Sequence, residues 1–294
     1  MTWPQVARKD FEDAVRSKMV WGIIAVFVGF VGFVLLVAIG TTDTSDATGD
    51  AALSLTANFG QLFVPLVALI AGYLAIVGER RSGSLRVLLS YPHSRRDVVV
   101  GKLVGRSAVI ATTLAVGSAA SMLLVALLVD APSLGNAAGL LASFVLFGAG
   151  FTGLAVGISA GVRTRGKAMA LAIGSLLVFL FVWDAAAAGV HATVTGSLPG
   201  LRVEPWYFLL KRLSPFGAFR ALADGFVQGQ VSPFVRMGLE QLPKGTTPEQ
   251  LALPNRVAGP LPFYLSDWFA VLTLAAWGLV PGVVGYLRFR RSDL

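Results

Sequence analysis

Long runs of apolar residues alternate with short polar stretches along this chain, and the pattern predicts membrane-spanning helices. A helix needs about 20 residues to cross a hydrocarbon core about 30 Å thick. Runs of that length give the predicted spans Met19–Ile39, Phe59–Val77, Val104–Val129, Ala137–Val162, Ala168–Val190 and Leu265–Leu287. The predicted fold class is therefore all-α, with residues 1–294 forming a single polytopic transmembrane domain of six helices in the lipid bilayer.

Composition supports this fold class and argues against two others, a water-soluble globule and a nucleic-acid-binding protein. Apolar residues make up 55% of the chain, charged residues only 14%, and the mean hydropathy is +0.73, whereas soluble domains carry roughly 25% charged residues. A water-soluble globule is excluded. The formal net charge is +8, but the basic residues cluster in loops next to the spans, so we interpret them as orientation charge and expect no nucleic-acid partner.

Basic residues also orient the spans. They gather before the first span, in the Gly78–Lys102 loop, in the turn Arg163–Lys167 and at the C-terminus, all on one side of the predicted bundle. The loop after the first span carries three aspartates and no basic residue. Because short loops rich in Lys and Arg stay in the cytoplasm, we expect a multi-pass protein of the cell membrane with cytoplasmic N- and C-termini.

Two segments outside the spans have patterns of their own. In residues 1–18, Trp3, Val6 and Phe11 recur at helical spacing with charged residues opposite them, which predicts an amphipathic interfacial helix. A cytosolic extension of the first span is the alternative. Residues 191–264 form a long extracytoplasmic segment, too polar and too rich in Pro and Gly for another span, and its aromatic run from Trp206 to Phe219 resembles interfacial or re-entrant helices.

The fourth span carries a row of small residues at every fourth position, namely Ala149, Gly153, Gly157 and Gly161. Such a row lets another helix backbone approach closely. We predict a helix-packing ridge, whose partner helix belongs either to this chain or to a second copy.

Side chains that could perform chemistry are sparse. Asp184 in the fifth span is the one intramembrane acid to consider, and it is a candidate transport-path residue. The chain has no cysteine, and His93 and His191 fall on opposite sides of the membrane, so no metal site is predicted. No Gly-rich phosphate loop, HExxH or GxSxG motif is present. If ATP drives this protein, another chain binds it.

The loop at residues 79–103 has internal structure of its own. Ser82–Tyr91 is predicted to form a short helix with an apolar side, and Pro92 ends it. Ser94–Asp97 is a capping-box pattern that starts the helix of the third span. This element suits docking into a groove on a soluble partner, and an orienting loop whose arginines touch lipid phosphates is the equal alternative.

A family resemblance favours docking. The order Glu79, Gly83-Ser84-Leu85, Leu88-Leu89-Ser90, Pro92, Ser94-Arg95 and Gly101-Lys102 resembles the signature of ABC-2 type ABC transporter permeases, with Ser84 in place of the usual Thr. Arg212–Pro215 and Gly285–Phe289 are similar to the branch of that family that includes the permease of the nitrous-oxide-reductase maturation system.

The resemblance implies a permease subunit of an ATP-driven transporter, usually an exporter, and no enzyme activity of its own. It implies a second permease copy, as homodimer or heterodimer, and two ABC ATPase subunits that bind ATP and Mg, with no cofactor in this chain. The implied ATPase-coupling residues are Glu79, Gly83, Ser84, Leu85, Leu88, Leu89, Pro92, Ser94, Arg95 and Lys102. The substrate does not carry over, and the lack of clustered soft ligands argues against direct copper handling.

A second hypothesis belongs to a different class of protein. The chain would be a membrane-embedded enzyme or an assembly scaffold that uses the long outer segment. Asp184 and His191 would then be its polar pair.

Overall fold

The computed structural model describes residues 3–41, 48–83, 94–233 and 238–291. Within these ranges the chain is helical and contains no β-strand, in agreement with the predicted all-α class. The helices are α1 (Trp3–Val15), α2 (Lys18–Thr41), α3 (Gly49–Gly72), α4 (Val77–Ser82), α5 (Arg95–Leu128), α6 (Leu134–Gly161), α7 (Arg165–Leu177), α8 (Trp183–Thr195), α9 (Pro205–Arg212), α10 (Pro215–Ala223), α11 (Pro248–Leu251), α12 (Leu253–Arg256) and α13 (Asp267–Arg290). A π-helical turn, Val178–Val182, joins α7 to α8.

Five helical segments of the described chain are long and apolar enough to cross a membrane: residues 49–82, 95–128, 134–161, 165–195 and 267–290. A sixth is counted when α1 and the start of α2, which meet at a bend of 58°, are taken together. The predicted six spans match the upper count. The second span differs in detail, because its helix runs from Gly49 to Gly72, turns at residues 73–76 and resumes as α4.

Serine and threonine side chains define where several of these helices begin. Each accepts a hydrogen bond from a backbone N–H of the first turn, which has no partner inside the helix. The residues are Thr48, Ser94, Ser133, Thr164 and Ser214. At α5, Ser94 and Asp97 form a reciprocal capping box, which confirms the helix start predicted from sequence.

Helix α6 lies at the centre of the bundle. Its Phe144, Phe147 and Phe151 are buried together with Val64 of α3 and Phe219 of α10. Phe147 and Phe219 stack with ring centroids 4.5 Å apart. The short helix α10, which belongs to the segment between the fifth and sixth spans, therefore packs into the core of the bundle.

Candidate functional site

A buried ion cluster joins three helices where the loop at residues 79–103 begins and ends. Lys102 Nζ of α5 lies 2.8 Å from Asp10 Oδ1 of α1 and 2.5 Å from Glu79 Oε1 of α4. Arg106 Nε lies 2.8 Å from Asp10 Oδ2. The side chains of Lys102 and Asp10 are 8% and 4% exposed. Two cations and two carboxylates balance, as buried charges require.

Close packing of α1 against α5 brings Asp10 to Lys102. Asp10 shares the buried face of α1 with Val6, Ala7 and Ala14. On α5 the facing positions are glycines: a Cβ at Gly101 would lie 2.6 Å from the Val6 Cβ, and one at Gly105 would lie 2.8 Å from the Ala7 carbonyl oxygen. These glycines let the two backbones approach until the charged side chains meet.

A second set of contacts connects this region to the end of α13. Arg95 donates a hydrogen bond to the carbonyl of Phe289 at 2.7 Å. The guanidinium groups of Arg80 and Arg95 lie 5.2 Å and 5.4 Å from the centre of the buried Phe289 ring. Arg80 also donates to the carbonyl of Val162 at 3.2 Å. Both ends of the 79–103 loop are thus held against the helices of the bundle.

The structure describes half of the predicted coupling residues. Glu79 and Lys102 are in the ion cluster, Ser94 caps α5, Arg95 contacts Phe289, and Gly83 ends α4 with a left-handed φ of +80°. Ser84, Leu85, Leu88, Leu89 and Pro92 lie outside the described residues.

The small residues of α6 face α13. A Cβ at Gly153 would overlap the carbonyl of Gly278, and one at Gly157 would overlap the carbonyl of Pro281. Gly161 lies beside Arg288, with 3.5 Å between its ideal Cβ and the Arg288 Cδ. For Ala149, the carbonyl oxygen lies 3.4 Å from an ideal Cβ at Gly278. The partner of this ridge is therefore a helix of the same chain.

A cavity of about 300 Å³ lies among helices α8 to α12 and the irregular segments at residues 230–233 and 238–242. Asp184, the predicted transport-path residue, lines it and pairs with Arg220 of α10 at 3.2 Å. The Glu240 carboxylate accepts hydrogen bonds from Lys211 at 2.7 Å, from Arg256 at 2.9 Å and from the Tyr207 hydroxyl at 2.9 Å.

Burial and charge shift three pKa values in this cavity. Burial alone would raise the pKa of Glu240, but Lys211 and Arg256 outweigh it and hold that pKa at about 2. Burial raises the pKa of the Tyr207 hydroxyl. Burial also raises the pKa of Asp224 to about 6, even though its carboxylate accepts a hydrogen bond from the Val231 N–H at 2.7 Å. The Asp224 carboxyl group, with its pKa of about 6, therefore changes charge just below neutral pH.

His191 lies apart from this arrangement. Its Nε2 is 3.1 Å from a Glu204 carboxylate oxygen and its Nδ1 is 3.0 Å from the Ser197 carbonyl oxygen. Asp184 and His191, the polar pair of the enzyme or scaffold hypothesis, thus have different partners. Among the described residues, no group of three His, Cys, Asp or Glu side chains is arranged to hold a metal ion.

Two ion pairs, Asp10 with Lys102 and Asp184 with Arg220, were not predicted from sequence. The sequence position of Asp10 could have indicated a buried partner, because Asp10 falls on the apolar face of α1 between Ala7 and Ala14. An unpaired acid there would be costly. No sequence pattern indicated the partner of Arg220, because Asp184 is 36 residues away and no local pattern connects the two residues.

The architecture so described is that of a multi-pass helical membrane protein with short helices on both sides of its spans. The chain belongs to the ABC-2 family of transporter proteins, whose family model matches residues 5–294. It is 30% identical over 215 residues to a protein of Stutzerimonas stutzeri named probable ABC transporter permease protein NosY, covering 70% of this chain and 76% of the relative. It is 31% identical over 237 residues to the protein of the same name from Pseudomonas aeruginosa, covering 76% of this chain and 84% of the relative.

These comparisons confirm the ABC-2 permease resemblance. The protein is a transmembrane subunit of an ABC transporter and an integral protein of the cell membrane. An ATPase partner belongs to such a transporter, and the permease is its non-enzymatic transport subunit.

Proposed function

We propose that this chain is the permease of an ATP-driven exporter, and that separate ATPase subunits dock on its cytoplasmic loop at residues 79–103. Two ATPase copies would bind and hydrolyse ATP with Mg, and two permease copies, identical or related, would form the pathway. Both termini lie in the cytoplasm in this proposal, since basic residues dominate the loops on that side. Helix α1 then lies along the inner membrane surface with Trp3, which is 42% exposed, at headgroup level.

The observation that supports the proposal most is the anchoring of both ends of this loop. At the start of the loop, Glu79 pairs with Lys102 and Arg80 contacts Phe289. At the end of the loop, Arg95 contacts Phe289 and Lys102 pairs with Asp10. A docked ATPase that displaced the loop would therefore move α1, α5 and α13 together, because buried charge pairs and packed rings resist separation.

The packing of α6 against α13 extends this path across the membrane. Backbone contacts at Gly153 and Gly157 leave no space for the two helices to slide past each other without separating. A displacement of α13 at Phe289 would thus reach the outer end of the bundle, where Arg212 donates hydrogen bonds to the carbonyls of Leu265 and Ser266 beside the start of α13.

Introducing a charge on the apolar side of the loop is the test. Leu85→Asp and Leu88→Asp are each expected to lower co-purification of the ATPase at least about tenfold, since burying one unpaired carboxylate costs well over 1.4 kcal/mol. The ATP hydrolysis that depends on the permease should fall in parallel. Both quantities are measured on the purified complex.

Gly166→Asp is the matched control. It adds the same charge on the neighbouring inner turn, where the residue is exposed and a side chain meets open space. The control should leave both quantities unchanged. If the two leucine variants retained full complex formation while melting at the wild-type temperature, the docking assignment would be wrong.

A further inference from the structure

The outer cavity carries more positive than negative charge. Its lining includes the four cations Lys211, Arg212, Arg220 and Arg256, and the three carboxylates Asp184, Asp224 and Glu240. Glu240 is shared by two of the cations. Among the described residues, the hydrogen bonds of Arg212 go to main-chain carbonyls and none goes to a carboxylate. At neutral pH the cavity therefore favours an anion.

Two of these cations, Lys211 and Arg220, have hydrogen-bond donors beyond those that they use within the described chain. Within the described chain, Lys211 uses its ammonium for one hydrogen bond, to Glu240, and Arg220 uses only Nη2, to Asp184. The Lys211 ammonium has two further N–H bonds, and the remaining side-chain nitrogens of Arg220 are not among the buried atoms of the described residues that lack a partner. Both side chains line the cavity and are 17% and 12% exposed, and carboxylate or phosphate oxygens are the acceptors that bind such donors most strongly.

The rest of the lining is apolar. Leu180, Phe208, Leu239, Leu251 and Leu253 form much of the wall. If inorganic phosphate alone were bound, these apolar side chains would remain exposed to water, so a ligand with an apolar part fits the cavity better. A volume of about 300 Å³ is at the small end of the range for ligand pockets, roughly 300 to 1,000 Å³.

We propose that this outer cavity binds an amphiphilic anion, with its carboxylate or phosphate group at Lys211 and Arg220 and its apolar part against the leucines. The anion is either the headgroup end of an acidic membrane lipid or a small soluble amphiphile. The proposal does not depend on ATPase docking, so it can fail or hold independently of the coupling described above.

Two pairs of probes that differ only in the phosphate group distinguish these sources. Phosphatidic acid is compared with diacylglycerol, and octyl phosphate with octanol, on the full chain in a non-ionic detergent. Binding is measured by native mass spectrometry and by the ligand-induced rise in melting temperature. Preference for phosphatidic acid indicates the lipid source, and preference for octyl phosphate indicates the soluble one.

Charge-neutralising variants locate the site. Lys211→Gln and Arg220→Gln should each weaken binding of the preferred phosphate probe about tenfold, the equivalent of one charge-assisted hydrogen bond. Arg202→Gln is the control, because Arg202 is exposed and does not line the cavity. It removes the same charge and should leave the affinity unchanged.

A gain of affinity is expected from Asp224→Asn. The charges that face Asp224 are Arg220 of α10, Arg212 of α9 and Asp267 of α13. Its pKa of about 6 means that the carboxylate is charged at pH 8 and protonated at pH 5. The variant should therefore bind the phosphate probe several-fold more tightly than wild type at pH 8, and equally at pH 5.

Equal binding of the neutral and phosphate-bearing probes would overturn the proposal. So would unchanged affinity in Lys211→Gln together with no gain in Asp224→Asn at pH 8. The increased affinity expected of Asp224→Asn cannot be explained by misfolding, since a variant that had lost its structure would not bind more tightly.

Discussion

Replacing Gly153 by alanine is expected to destabilise the protein by about 3 kcal/mol, near the upper end for overpacking in a protein core. The single added Cβ would overlap the carbonyl of Gly278 in α13. That obstacle is backbone, which cannot rotate away as a side chain can, so the two helices must separate. The melting temperature and the monodispersity of the purified chain in detergent measure the effect.

Gly174→Ala is the matched control and should have the opposite sign. Gly174 lies in α7, and an added Cβ there meets nothing within 4 Å. The substitution then gains only helix propensity, up to about 1 kcal/mol, and should hold or raise the melting temperature. If Gly153→Ala melted at or above the wild-type temperature, the α6–α13 packing described here would be incorrect.

Replacing Lys102 by methionine is expected to cost about 3 to 5 kcal/mol, as for other buried charge pairs that lose one partner. Methionine preserves much of the side-chain volume but leaves Asp10 and Glu79 with Arg106 alone. The excess negative charge is buried under α1, so this helix should detach from α5. Thermal unfolding measures the loss of stability, and limited proteolysis near the N-terminus measures the detachment of α1.

A double variant separates the charge effect from lost packing. Asp10→Asn combined with Lys102→Met restores the charge balance, leaving Arg106 with Glu79, and should recover part of the lost stability. The exposed pair Arg8–Glu12, on the other face of α1, is the control: Glu12→Gln should leave the melting temperature unchanged, because solvent screens that pair. If the double variant were no more stable than Lys102→Met, the cluster would not act as a charge-balanced unit.

The spans and the start of α5 could be predicted because each depends on local sequence. Apolar runs of sufficient length predict the six spans, which agrees with the upper count of the five to six in the described chain. Ser94 with Asp97 marks a helix start within four residues. The small-residue row on α6 was also visible in sequence. Its partner was not, because the facing glycine, Gly278, lies more than a hundred residues later and belongs to another helix.

The charge network could not be predicted, since it depends on which helices become neighbours. Asp10 and Lys102 are 92 residues apart, and Asp184 meets Arg220 only because α10 packs against the bundle. Asp184 is the one charged residue between Ala168 and Val190, so its own span suggested no partner. The outer segment supplies most of the cavity lining, and sequence predicted interfacial or re-entrant helices only for its aromatic run from Trp206 to Phe219. The shape of the segment follows from contacts such as Arg256 with Glu240.

The central claim, that an ATPase docks on the loop at residues 79–103, is tested most directly by site-specific crosslinking. The chain has no cysteine, so Leu88→Cys introduces a unique thiol that a benzophenone maleimide can label in membranes containing the co-expressed ATPase subunit. Ser45→Cys, in the loop predicted to face outward, is the control. The account predicts a crosslinked permease–ATPase product from Leu88→Cys and none from Ser45→Cys. No product from Leu88→Cys, or equal products from both positions, would contradict it.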